Sequence, residues 1–499
     1  MQAIQQNGTG RARDLLERAR PRLREALFQQ GLLRSCEDHE EFAMWMERGE
    51  KLLEMLERRP FRRLRELAAV ACCDAQQFAG FMSALQSDEA VRAFVAECGD
   101  SAYYRNTVQP IVESGAFDAA VKGRYAYPFT VGIYPAVSCM LSCSFCGRVP
   151  HAEYRWDDVE RGNELLRTLF GEAPTDVAGR FYLSGGLEPL TNPGLDRIVS
   201  FAAGRGFRMQ LYTNGMMLTR SFLEKHEGLL DLDTIRVSLY GADDAMAERT
   251  TSGKGVASRV IANAKEFLRL KKERGGATRL AFNYVVQSGQ VEHLREIGRV
   301  VAEISDEGAI AFLSLRENYA AGGAVSICSA ERERLRDELL ALGKFLGDRG
   351  VEIDFGYAME GLLKGREAGP LHRVGYEEMS GRGYPQISVV VDLLGDVYLY
   401  REAAFLGRAG AKRYVIGRLG RDGNFEGILR KYIAGGNEVR PVPGDELFLD
   451  AFDHAVTAYL RQVSDDLAFT TEVAAAAPLR RGKVARMPER GLRSLAVGL

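Results

Sequence analysis

From about residue 128 to residue 330 the chain alternates short β-rich runs with amphipathic stretches, and no other feature narrows its fold as much. The runs are FTVGIYP, RFYLSGG, RMQLYTNG, TIRVSLYG, RLAFNYVVQ and AIAFLSLREN. Between most of them lie segments such as VERGNELLRTLF, NPGLDRIVSFAAGRG, SRVIANAKEFLRLKKER and EHLREIGRVVAEI, with apolar residues at three- and four-residue spacing. Strands that return in the same direction need a crossover, which a helix supplies. Six such units predict an α/β fold built on a partial (β/α)6 barrel, about three-quarters of the closed eight-unit form. Barrels of this kind build their active sites at the C-terminal ends of the strands.

The flanks differ in texture. Residues 1–120 predict a helical N-terminal domain, through LLERARPRLREALFQQGLL, EEFAMWMERGEKLLEMLERR and SDEAVRAFVAEC. Residues 121–329 form the barrel. Residues 330–468 predict an α+β C-terminal extension: a long helix, the strand VEIDFGYAM, a hairpin in QISVVVDLLGDVYLYREAAF turning at Gly395-Asp396, and a final helix near LFLDAFDHAVTAYLRQV. Residues 469–499, ending in Arg and Lys, predict a flexible basic tail. A net charge of −2 over 499 residues gives no reason to expect nucleic acid. No apolar run approaches the ~18–20 residues of a membrane span, and the first residues lack a secretory signal, so the expected location is cytoplasmic.

Eight cysteines in such a chain do not read as a disulfide framework. Cys36, Cys72, Cys73, Cys98 and Cys328 are scattered and read as small buried hydrophobes. Cys139, Cys143 and Cys146 are different: they fall within VSCMLSCSFCGR, just after the first barrel strand. Three thiolates on one short loop can hold three irons of a [4Fe–4S] cube and leave the fourth iron open to a second molecule, whereas electron-transfer clusters use four. A structural zinc site wants four closed ligands, and neither a second cysteine pair nor a suitably spaced His closes one here; His151 is at the wrong spacing. Polar residues cluster at the other strand ends: Gly185, Gly186 and Glu188 in LSGGLEP, then Thr213, Asn214, Ser238, Asn283 and Arg316, with Arg249 just beyond the fourth strand.

The cysteine segment resembles the signature of radical S-adenosylmethionine (SAM) enzymes. The resemblance implies that the open iron chelates SAM and that an electron splits its C5′–S bond into a 5′-deoxyadenosyl radical. Phe145 matches the aromatic position near the adenine, and Glu188 resembles the motif that engages the SAM amino group, with Leu187 intervening. Thr213, Asn214, Ser238, Asn283 and Arg316 resemble ribose- and adenine-binding positions, and Arg249 is a candidate for the SAM carboxylate.

Within that superfamily YPAVSCMLSCSFCGRV, YLSGGLEPLTNPGL, IRVSLYG and VVDLLGDVYLYREAAF are similar to the TDP-4-amino-4,6-dideoxy-D-glucose ammonia-lyases of deoxyaminosugar biosynthesis. That similarity implies hydrogen abstraction at sugar C3, loss of the C4 amine as ammonia, and uptake of an electron to give a 3-keto-4,6-dideoxy sugar. It also implies an external one-electron reductant such as flavodoxin or ferredoxin. Arg148 and Arg401 are candidates for the nucleotide diphosphate, and Glu402 and Tyr240 for the sugar amine or hydroxyl. Two alternatives stay open: a radical SAM diol dehydratase or alcohol dehydrogenase acting on an aminoglycoside, and a non-catalytic iron–sulfur binding protein. Because no cysteine follows Cys328, one cluster is expected; reconstituted protein should hold about 4 iron atoms per chain, and about 8 would overturn this.

Overall fold

Strand order in the sheet follows strand order in the chain, and this shapes everything near the cysteine loop. The computed structural model describes residues 2–58, 63–99, 104–177, 179–317, 327, 329–363 and 374–476. Cys328 and the basic segment from residue 477 lie outside the described residues. Seven strands lie side by side, each parallel to the next: β1 (Thr130–Tyr134), β2 (Phe181–Leu183), β3 (Gln210–Thr213), β4 (Thr234–Leu239), β5 (Arg279–Val286), β6 (Ile310–Glu317) and β7 (Glu352–Phe355). Helices Trp156–Glu172, Leu195–Gly204, Arg220–Lys225, Val256–Arg274, Leu294–Ser305 and Ser329–Gly347 make the crossovers. Right-handed crossovers between strands taken in sequence place all the helices on one face, and such a sheet curls as a barrel does.

Residue parity separates the two faces. The row Ile133, Leu183, Leu211 and Ile235 is in register and fully buried in the main apolar core, as are Val237, Phe282 and Leu313. The opposite row carries Tyr182, Tyr212, Arg236, Ser238, Asn283 and Asp354, all only half-buried. One face is therefore packed under helices and the other is an open polar and aromatic lining.

The C-terminal segments extend both edges of this sheet. The strand expected in the extension is β7, which pairs with β6, so the sheet has a seventh unit beyond the six expected. After the short β8 (Gly381–Arg382), β9 (Ser388–Asp392) runs parallel to β1, followed antiparallel by β10 (Asp396–Tyr398) and β11 (Val415–Arg418). β12 (Glu438–Val439) pairs with β8 as a separate ribbon. The expected hairpin is β9–β10: Gly395 turns it at φ 81°, and Asp392 Oδ1 accepts the Leu394 and Asp396 N–H groups at 3.0 and 2.9 Å. Added strands satisfy edge groups that a bare six-stranded sheet would leave unpaired.

The chain divides into two compact units, with boundaries that differ from the sequence reading. The described residues up to Asn106, together with those from Ala458, form a helical unit; the remainder is the barrel unit. Helices Gln2–Gln29, His39–Arg58, Leu64–Val70, Ala75–Leu85 and Glu89–Gly99 build the former around Leu16, Leu23, Phe42, Phe78 and Phe81. The last helix, Ala451–Ala476, runs on through 469–476, where a tail was expected. Buried Phe469 explains this, since its ring lies 6.0 Å from that of Phe78. Among the described residues no helix is long and apolar enough to cross a membrane. Leu211→Ala, between Leu183 and Ile235 at full burial, should cost about 2–5 kcal/mol in urea-induced unfolding of the barrel unit.

Candidate active site

The three cysteines of interest lie on the 21-residue connection between β1 and the helix Trp156–Glu172. A loop of that length stays in place only if its backbone groups find partners. Thr191 Oγ1, from the β2 side, accepts the N–H groups of Val137 and Ser138, both at 3.1 Å. Ser138 O accepts the Glu188 N–H at 2.9 Å. From beyond β4, the carbonyls of Thr251 and Thr250 accept the N–H groups of Ser142 at 3.0 Å and Ser144 at 2.8 Å. Gln287, after β5, accepts the Ser144 hydroxyl at 3.2 Å. Neighbouring strand ends thus hold the loop from both sides.

Cys139, Cys143 and Cys146 are all half-buried. Burial, then the charges of Cys146 and Cys139, push the Cys143 thiol up to about 12. Burial likewise raises Cys139 and Cys146, while the Arg148 guanidinium pulls all three down. Thiols so placed ionise together only when positive charge joins them, as iron would supply. Among the described residues no three His, Cys, Asp or Glu side chains are gathered tightly enough to enclose a single metal ion. Three thiols on one loop can each bind one iron of a cluster and leave its fourth corner open.

Glu188 occupies a position the sequence did not indicate. Its carboxylate is 3% exposed and accepts three hydrogen bonds: from the Thr213 hydroxyl at 2.7 Å, the Asn214 N–H at 2.7 Å and the Leu190 N–H at 3.1 Å. Thr213 shares the parity of buried Leu211, so its hydroxyl points to the helix-covered side. Burial raises the Glu188 carboxyl and these three donors oppose the rise. Glu188 thus ties the ends of β2 and β3. Asn214, beside it, directs Nδ2 toward Met140 Sδ at 3.0 Å and Cys139 Sγ at 4.0 Å. Gly185, at φ 139°, lies against the Tyr134 ring, and a Cβ on Gly186 would sit 2.8 Å from the Phe405 ring. Only glycines fit this ledge.

The remaining expected residues divide. Phe145 and Tyr240 stack at 6.4 Å with rings 18° apart, which puts Tyr240 beside the cluster loop. Arg148 donates through Nη2 to the Leu141 carbonyl of that same loop, and its Nη1 is buried without a partner. Ser238 and Asn283 face the open side in register, with Ser314 next to Asn283. Arg316 pairs with Asp354 at 2.5 Å, and Ser314 donates to the same carboxylate at 2.9 Å. Arg249 is exposed on the helix Asp244–Thr251. Arg401 pairs with Asp450 at 3.2 Å and lies 3.9 Å from the Phe452 ring and 5.2 Å from the Tyr182 ring, with its Nε buried without a partner. Glu402 pairs with Arg408 at 2.7 Å, and its Oε2 stands 2.5 Å from where a Cβ of Gly147 would be. Burial pushes Glu402 up to about 7 against the pull of Arg408. The sequence reading missed Thr191, Thr250, Thr251, Gln287 and Asp354. The first four act largely through backbone or single polar contacts that leave no motif.

An open parallel barrel carrying three thiols on the loop after its first strand defines the radical SAM class, and the Radical SAM superfamily pattern matches residues 133–299. The chain is 38% identical over 414 residues to dTDP-4-amino-4,6-dideoxy-D-glucose ammonia-lyase of Streptomyces venezuelae, covering 82% of this chain and 85% of that protein. It belongs to the radical SAM superfamily and, within it, to the family of that ammonia-lyase. Among solved structures, native anSMEcpe with bound AdoMet matches with a TM-score of 0.42 and 16% identity over 70% of this chain and 99% of that one. Streptococcus suis SuiB bound to S-adenosylmethionine matches at 0.39 and 16% over 64% and 68%.

Thr191→Val preserves shape but leaves the Val137 and Ser138 N–H groups without their acceptor. It should cost about 1–3 kcal/mol in thermal or urea unfolding and speed amide exchange at both positions. Unchanged exchange there would show that Thr191 does not clamp the loop.

Proposed function

We propose that this protein is a radical SAM ammonia-lyase that deaminates a nucleotide-linked 4-amino-4,6-dideoxyhexose, releasing ammonia and leaving a 3-keto-4,6-dideoxy sugar. The observation that carries the reading is the triplet Cys139, Cys143 and Cys146 on one clamped loop, in a chain related over most of its length to the Streptomyces enzyme. These cysteines would hold one [4Fe–4S] cluster, and the ledge Gly185–Gly186 with Asn214, Ser238, Asn283 and Arg316 would receive SAM. When bound, and reduced by a carrier such as flavodoxin or ferredoxin, they supply the adenosyl radical that takes hydrogen from the sugar.

The side chains then have positioning work. Gly185 and Gly186 let the backbone come close to a ligand, with Tyr134 and Phe405 behind them excluding water. The Phe145–Tyr240 stack packs beside the cluster loop. Arg148 places a positive charge beside the three thiolates. Glu402, next to Gly147 and paired with Arg408, would accept a hydrogen bond from the sugar ammonium and so favour the protonated amine, the better leaving group.

Anaerobic incubation with SAM, reductant and TDP-4-amino-4,6-dideoxyglucose should yield ammonia and a keto-deoxysugar nucleotide, read by mass spectrometry. Cys139→Ala, Cys143→Ala and Cys146→Ala should each abolish product and lower bound iron. 5′-Deoxyadenosine without sugar turnover would redirect the reading to an aminoglycoside. Its absence under all conditions would remove the radical chemistry altogether.

A further inference from the structure

Four arginines near the rim of the open face each have an oxygen partner, although Arg148 Nη1 and Arg401 Nε are themselves buried without one. Arg148 donates to a carbonyl, Arg316 to Asp354, Arg401 to Asp450 and Arg408 to Glu402. Arg236, in the middle of β4, is different. Among the described residues no hydrogen bond or ion pair reaches it, and its Nε is buried without a partner. Its guanidinium lies 5.2 Å from the Tyr212 ring and 4.6 Å from the Phe312 ring. It reaches β6 because its neighbour in register on β5 is Ala281, too small to obstruct it.

Ring faces offset only part of what a guanidinium loses on leaving water. The surroundings add a second, independent observation. Tyr182, edge-on to Tyr212 at 6.0 Å, has a buried hydroxyl that also lacks a partner. That ring lies across β1 where Gly132 leaves room, since a Cβ there would be 2.6 Å from the hydroxyl. Arg236 and Tyr212 thus share one stretch of the open face with Tyr182, whose ring also lies 5.2 Å from the Arg401 guanidinium.

We infer that Arg236 is the anion handle of this site: it binds the diphosphate of a nucleotide-linked substrate, with Tyr182 and Tyr212 lying against the base or sugar. The inference rests on the proposed function and puts the handle at Arg236, which among the described residues has no hydrogen-bond or ion-pair partner, in place of Arg148 and Arg401, which each have one. A guanidinium offers two parallel donors to phosphate oxygens, and one held between rings loses little further freedom on binding.

Calorimetric titration of the reconstituted holoenzyme with dTDP tests it. Arg236→Gln should weaken dTDP binding roughly ten- to hundredfold and remove the rise in unfolding temperature that saturating dTDP gives wild type. Arg236→Lys keeps the charge without the fork and should fall between the two. It also stands in as the test should the Gln variant not fold. A folded Arg236→Gln or Arg236→Lys enzyme with wild-type dTDP affinity overturns the assignment. If wild type still deaminates the nucleotide sugar in that case, the proposed reaction stands. A wild-type holoenzyme with no affinity for dTDP overturns this assignment by itself, and with no sugar turnover either, the proposed function falls too.

Discussion

Sequential parallel winding is the constraint on which the rest of this molecule depends. Because β1 to β7 neighbour one another in chain order, every right-handed crossover packs its helix on the same face. All the strand C-termini then collect at one rim, and the other face is left without helices. The cysteine loop leaves from the end of β1, and its clamps come from the ends of β2, β4 and β5. A doubly wound sheet of the same strands would send helices to both faces and cover the lining that carries Tyr182, Tyr212 and Arg236.

Polar contacts hold the rim where apolar packing holds the sheet. Glu188 shows why this is stable: a buried carboxylate alone would be costly, but three donors from two strand ends satisfy it. The same contacts place Asn214 beside Met140 and Cys139. Loop geometry near the thiols is therefore set through hydrogen bonds that converge from separate segments, and loss of any one would loosen the others.

The C-terminal segments finish the barrel and furnish its rim. β7 and β9 extend opposite edges of the sheet, while the turn holding Arg401, Glu402 and Phe405 meets the glycine ledge and Gly147. Pairing of Arg401 and Arg408 with acidic neighbours neutralises that side. Among the described residues, Arg148 beside the thiols and Arg236 deeper in the lining have no acidic partner.

Much was legible in the sequence because it is periodic or local. Alternation of apolar residues at spacings of two and of three to four marked the six barrel units, and the spacing of Cys139, Cys143 and Cys146 identified a three-thiol loop from a dozen residues. Gly395-Asp396 marked its hairpin for the same local reason. The partners of single polar side chains depend on which strands become neighbours, and no local pattern encodes that. Only the tertiary structure decided that β7 joins β6, that Glu188 faces inward as a tie, that Arg148 and Arg401 each have an oxygen partner, and that Arg236 has none among the described residues. Sequence determined the sheet and the thiols. Long-range pairing decided which of the charged residues remain free to meet a ligand.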